Sequence, residues 1–353
     1  MLKKLSKQKI SDIITYGIVL VAFIVMQILI NAGQISSLFE GLMVPLCTYI
    51  ILAISLNLVV GVLGELSLGH AGFMCVGAFT SAFFSKCMQD TITNSIVRFL
   101  IALLIGIVVA AIFGLLIGIP VLRLNGDYLA IVTLAFGEII KNIVNVLFIG
   151  KDSKGFHFST KDVMALNMEP DGKVIVNGPQ GITGAPKDAT FFIGFILVLL
   201  TLFIVLNLIH SRDGRAIMAI RDNRIAAESI GINITKYKLM TFTISAAMAG
   251  AAGVLYGHNL SNLTANTNNF GYNMSINILV FVVLGGIGNI RGSIISAVVL
   301  TILPELLRGL SDYRMLIYAI VLIVMMLFNW APKAIEWREK YLSFKKNKKE
   351  AVK

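Results

Sequence analysis

Ten apolar windows break up this chain, at 13–30, 38–60, 66–84, 96–119, 128–149, 191–209, 239–256, 274–284, 292–307 and 315–328. A hydrocarbon core about 30 Å thick takes about 20 apolar residues per helix, and a helix satisfies its own backbone N–H and C=O groups on the way across. The windows predict an all-α integral membrane protein of about ten transmembrane helices. Two of them, 274–284 and 292–307, are short and joined through Gly285, Gly286, Gly288 and Gly292, so some spans are expected to be glycine-interrupted. Composition points the same way. With 57% hydrophobic and 14% charged residues and a mean hydropathy of +0.84, there is too little polar surface to coat a soluble globule of this length.

Ten crossings put both termini on one side. With the N-terminus in the cytoplasm, Lys and Arg favour that side by about two to one, in the sense of the positive-inside rule. This divides the chain into a basic cytoplasmic N-terminus (1–12), a transmembrane domain (13–330) and a basic cytoplasmic tail (331–353). Within the domain, 150–190 is an external loop and 210–238 a cytoplasmic one. In the tail, Lys345, Lys346, Lys348 and Lys349 suit an anionic bilayer surface. The net charge of +11 is then a topology signal, and no nucleic-acid partner is expected. The first window is longer than a signal-peptide core and Asn31-Ala-Gly is a poor cleavage site, so the helix is read as retained.

The anomaly in so apolar a chain is residues 212–238, RDGRAIMAIRDNRIAAESIGINITKYK. Asp222 can cap the start of a short helix and Gly231 its end, with a further turn at Gly214. A short, polar helix held at both ends and lying in the cytoplasm is a dock for a partner. No GxxxxGK[ST] loop occurs anywhere, so the chain is not expected to hold ATP in that way and would receive motion from a separate ATPase.

Polar groups inside apolar windows are the other candidates. Asn57 leads into a glycine-rich run, Gly61 to Gly77, carrying Glu65 and His70; helix packing near the inner surface or a gating role both fit. Asp127 stands at a helix start, where the dipole favours it. Glu138 and Lys141 share one helical face, and an intramembrane pair of this kind serves a pathway or ties helices together. Gly285 to Gly292 loosely echoes Gly61 to Gly69, as a duplicated half would. Small residues recur in Ala246/Gly250 and Ala249/Gly253, a spacing for close helix approach. The external loop is rich in Gly and Pro and predicts turns and short irregular elements. It has no readable catalytic set, so no enzymatic activity is expected. Cys47, Cys75 and Cys87 lack metal-ligand spacing, and no metal site is expected.

Several stretches resemble one family. GRAIMAIRDNRIAAESIGINITKYKL at 214–239 is similar to the cytoplasmic loop of permease subunits of branched-chain amino acid ABC importers. Ala226-Ala227 followed by Gly231 resembles part of the importer coupling motif, although Ile225 stands where that motif leads with Glu. SLGHAGFMCVGAF at 67–79, GDYLAIVTLAFGEIIKNI at 126–143, NGPQGITG at 177–184 and LVFVVLGGIGNIRGSIISAVV at 279–299 match as well, and the external loop is that of the LivM-type rather than the LivH-type subunit. The resemblance implies a multi-pass subunit of the bacterial cytoplasmic membrane importing leucine, isoleucine or valine. Its partners would be a LivH-type second permease, two cytoplasmic ATPases that use the ATP, and an external amino-acid-binding protein. Arg215, Arg221, Arg224, Ala226, Ala227, Glu228 and Gly231 would contact the ATPase. Urea or short-chain amides are the alternative cargo, and a secondary transporter the alternative class.

Overall fold

The computed structural model describes residues 7–33, 36–124, 126–170, 172–310 and 313–330. The basic N-terminal residues up to 6, Asn125 and the tail from 331 on lie outside them. Five helices come first: α1 (Lys7–Asn31), α2 (Ser37–Asn57), α3 (His70–Cys87), α4 (Ser95–Val121) and α5 (Asp127–Val146). α2 runs on as a π-helical segment, Leu58–Leu63. Four short strands follow: β1 (Phe148–Lys151), β2 (Phe156–Ser159), β3 (Lys173–Asn177) and β4 (Ile182–Thr183). Then come α6 (Phe191–His210), α7 (Arg212–Asp222), α8 (Arg224–Ser229) and α9 (Ile234–Gly257). The chain closes with β5 (Asn262–Leu263), α10 (Thr267–Phe270), α11 (Tyr272–Gly285), α12 (Ile290–Leu306) and α13 (Arg314–Trp330).

Each apolar window becomes a helix, and the chain is an all-α membrane protein. Among the described residues, seven helices are long and apolar enough to cross alone. The rest of the windows give α3, α11 and α13, of 18, 14 and 17 residues. At 1.5 Å per residue α11 covers about 21 Å, less than the hydrocarbon thickness, so one of its ends lies at membrane depth.

Burial sorts the helices into an inner and an outer set. The most apolar window of α2 and its π extension is 89% buried and that of α9 is 72%, against 28% for α4 and 6% for α1. α9 can occupy the centre because its small residues let backbones meet, as the spacing of Ala246/Gly250 and Ala249/Gly253 predicts. A Cβ on Gly253 would stand 2.1 Å from the Met74 carbonyl of α3, and one on Gly250 would stand 2.4 Å from Ala110 Cβ of α4. Close approach of this kind is what glycine supplies between membrane helices.

The loop expected to be irregular contains a three-stranded antiparallel sheet in the order β2-β1-β3. Glycines and prolines do mark its turns, but the β-branched run within Lys173–Asn177, KVIVN, buries Ile175 and Val176 and makes a strand. Asp152 fastens the turn after β1, accepting N–H groups from Lys154 (2.9 Å), Gly155 (3.1 Å) and Glu169 (3.3 Å). The Asn- and Thr-rich segment after α9 also folds inward. His258 bonds Ser85 at 2.7 Å, β5 pairs with β4, and Phe270 is fully buried.

Candidate coupling site

The charged stretch folds into an arm of two helices, each closed locally. Ser211 caps α7, its hydroxyl accepting from Gly214 N at 3.0 Å. Gly214 is therefore inside the first turn of α7 rather than a separate turn, pressed so close that a Cβ would stand 2.1 Å from the Leu208 carbonyl. α7 buries Gly214, Ile217 and Ile220, one face at helical spacing.

The second helix of the arm is capped one residue later than the sequence suggests. Asp222 ends α7, and the cap of α8 is Asn223, in extended conformation, whose Oδ1 accepts from Ala226 N at 3.0 Å. Both residues are good caps, and the choice falls on Asn223 because α7 continues through Asp222. The other end follows expectation. Gly231 is left-handed (φ +86°), its N–H reaches Glu228 O at 3.0 Å, and Ile232 N–H reaches Ala227 O at 3.1 Å. This doubly bonded left-handed closure satisfies carbonyls the helix leaves open.

The arm shows two faces. Ala227, 3% exposed, packs with Ile220 and Ile234 and so faces the protein rather than a partner. Arg224, Ala226, Glu228 and Gly231 are exposed, and so are two large apolar side chains, Ile225 at 81% and Ile230 at 74%. Arg215 is exposed and donates to the His210 carbonyl at 3.3 Å. Arg221 turns toward the membrane domain: Nη1 donates to Gly61 O at 3.0 Å, its stem lies over Gly64, and Asp222 holds the rest of its guanidinium.

Behind Arg221 lies the glycine-rich run. Glu65 forms an ion pair with Lys238 of α9, the side chains 14% and 3% exposed. One helical turn above Gly61, the fully buried Asn57 donates to Ser293 Oγ (2.8 Å) and accepts from Gly288 N (2.8 Å). The two glycine segments that echo each other in sequence therefore touch, Gly61 against Gly288. His70 is buried at the start of α3, its Nε2 within 3.1 Å of the hydroxyls of both Ser55 and Ser245. Arg221, Gly61, Asn57 and Gly288 thus form a continuous line of contacts from arm to core.

The remaining candidates lie elsewhere. Asp127 is exposed in the first turn of α5. Glu138 and Lys141 pair on α5; Glu138 Oε1 accepts the first N–H of α11, Tyr272, at 2.7 Å, and Lys141 lies 3.3 Å from Thr267 Oγ1. Here the pair fastens the N-terminal end of α11 to α5. Sequence reasoning missed three partnerships: Lys238 with Glu65, Asn57 with Gly288, and Arg98 with Asp188, a two-bond ion pair at 2.7 and 2.9 Å that ties α4 to the segment before α6. Only a polar or charged residue in an apolar setting hinted at any of them.

Residues 37–328 match the family described as branched-chain amino acid transport system / permease component. The chain belongs to this family. It is 35% identical over 296 residues to the high-affinity branched-chain amino acid transport system permease protein LivM of Salmonella typhimurium, covering 81% of this chain and 67% of that protein. To the LivH permease of the same organism it is 25% identical, over 79% of this chain and 89% of LivH. A fructose import permease of Bifidobacterium longum, FruG, is 26% identical over 94% of both chains. No solved structure matches.

Proposed function

We propose that this chain is the LivM-type subunit of an ATP-driven importer of branched-chain amino acids, paired in the bacterial cytoplasmic membrane with a LivH-type permease. Two ATPases would bind the arm from the cytoplasm, where both termini also lie, and an external binding protein would deliver leucine, isoleucine or valine. ATP would be held and hydrolysed by the ATPases, this chain contributing no catalytic group. The observation that carries the reading is the α7–α8 arm, capped at every end, exposing Ile225 and Ile230 on one side and holding the core through Arg221 on the other. A rigid element with both attachments can turn closure of ATPases into movement of membrane helices. Cargo follows from the higher identity to LivM than to the sugar permease.

Mechanically, ATPase closure would draw the arm inward. Arg221 would pull on the Gly61 carbonyl and Asn57 on the α11–α12 turn, so that the pathway opens to alternate sides. The test is leucine uptake by vesicles holding the complete complex, with Ile225→Asp and Ile230→Asp. Placing a carboxylate in an apolar protein contact costs several kcal/mol, so uptake is expected to fall at least about ten-fold with the protein level unchanged. Normal uptake and normal co-purification of an ATPase in both variants would overturn the docking assignment.

A further inference from the structure

The β1–β3 lobe overhangs a groove of about 500 Å³ between α3, α4 and α5. Its wall runs from Val76 to Met88 along α3, about 18 Å at 1.5 Å per residue. One leaflet's share of a hydrocarbon core about 30 Å thick is about 15 Å, so the groove is as deep as a leaflet. The lining is almost wholly apolar, with Phe79, Phe83, Phe113, Ile140 and Ile143 among it. Thr80 contributes a hydroxyl, but that hydroxyl donates to the Val76 carbonyl at 2.7 Å. Nothing along the wall would hold the ammonium or carboxylate of an amino acid.

At the lobe end the groove meets a second pocket, also about 500 Å³, and Cys87 lines both. Lys86, Lys151 and Lys173 line this pocket with Asp90 and Asp152. The three lysines outnumber the two carboxylates by one charge, and Asp152 is already engaged by His157 and three backbone N–H groups. Lys86 Nζ uses one donor on the Thr183 carbonyl. Lys151 Nζ sits 5.8 Å over the ring of Phe156, which also lines the groove. An ammonium carries three donors, so capacity for an anion remains.

A leaflet-deep apolar slot ending under a cluster of lysines has the chemistry of an anionic phospholipid. We propose that the chain binds one, its acyl chain between α3, α4 and α5 and its phosphate on Lys86, Lys151 and Lys173, in the leaflet that borders the β lobe. The lipid fixes the lobe against the membrane helices, whatever cargo is carried.

The test uses full-length protein in phosphatidylcholine nanodiscs. Trp330 and Trp337, the chain's two tryptophans, are changed to Phe, and Phe156→Trp places a reporter where groove and pocket meet. Brominated phosphatidylglycerol is expected to quench this reporter at roughly one-tenth the mole fraction that brominated phosphatidylcholine needs. The preference should vanish in Lys86→Gln/Lys151→Gln/Lys173→Gln, and inorganic phosphate should not compete. Ile143→Trp gives a second reporter should Phe156→Trp fail to yield monodisperse protein. Equal quenching by both lipids, or a preference surviving loss of the lysines, overturns the headgroup site. Quenching by neither lipid means protein seals the groove and overturns the proposal. Displacement by inorganic phosphate makes the pocket a free-anion site and overturns it too.

Discussion

Removing either partner of the Glu65–Lys238 pair should be far worse than removing both. The Lys238 side chain is 3% exposed and that of Glu65 14%, so each is stripped of most of its water and depends on the other for compensation. Lys238→Met strands a buried anion, and Glu65→Gln strands a buried cation. Losing one partner of a buried pair costs about 3–5 kcal/mol, so independent effects would sum to about 6–10 kcal/mol. The double variant carries no charge and should cost no more than about 1 kcal/mol, because a desolvated pair contributes little net stability over neutral groups of similar size. The interaction term is therefore about 5 kcal/mol or more. Reversible unfolding by SDS in mixed micelles, followed by far-UV circular dichroism, reads all four corners of the cycle. If the double variant is destabilised by the sum of the singles, the pair is not mutually compensating and the anchoring of α9 to the glycine-rich run lies elsewhere. Uptake in a stable double variant separates holding the arm's base in place from carrying motion through it.

Asn223→Ala should cost about 1 kcal/mol by leaving Ala226 N–H uncapped, and Gly231→Ala about 1–2 kcal/mol by forcing a side chain into a left-handed position. Faster amide exchange confined to residues 224–232 would report both. A Gly253→Leu variant should fail to accumulate as folded protein, since its Cβ alone meets the Met74 carbonyl at 2.1 Å; the size-exclusion profile of the fused fluorescent protein reads this. The β lobe should loosen in acid. Desolvation raises the pKa of Asp152, but hydrogen bonds from Glu169, Lys154, His157 and Gly155 outweigh it and hold the carboxyl below its ordinary 3.8. The folded state therefore binds this proton less readily than the unfolded one. Its contribution is whole above pH 3.8 and lost as pH falls through the lowered value. Protease nicking near residues 152–169 should be flat from neutral pH down to about 5 and rise only in stronger acid, with the rise absent in Asp152→Asn.

Helices of this chain are legible because bilayer thickness imposes a length and hydrocarbon imposes a composition, both visible in one sequence. The arm is legible for the complementary reason, as a polar interval that the bilayer cannot explain. Pairings across the fold are not. Asn57 meets Gly288 and Glu65 meets Lys238 only because α2, α9 and α12 converge, and no local pattern encodes convergence. The β lobe fell between these cases. KVIVN carries the consecutive β-branched residues of a strand, yet the glycines and prolines around it signal turns more loudly. At the arm, Asp222 and Asn223 are equivalent as caps in sequence, and only the extent of α7 decides between them.

The arm's fold depends on Ser211, Asn223 and Gly231, which close its helices, and on Ala227, which faces inward. None of the side chains at Ile225, Ala226 or Glu228 supplies those closures. The outward surface is thereby free to drift without unfolding its support. On the docking proposed above, a cell carrying several importers of this type could give each permease its own dialect of surface residues and each ATPase a matching one, so that subunits from parallel systems would not cross-assemble. Ile225 stands on that outward surface, on a scaffold whose closures do not depend on it.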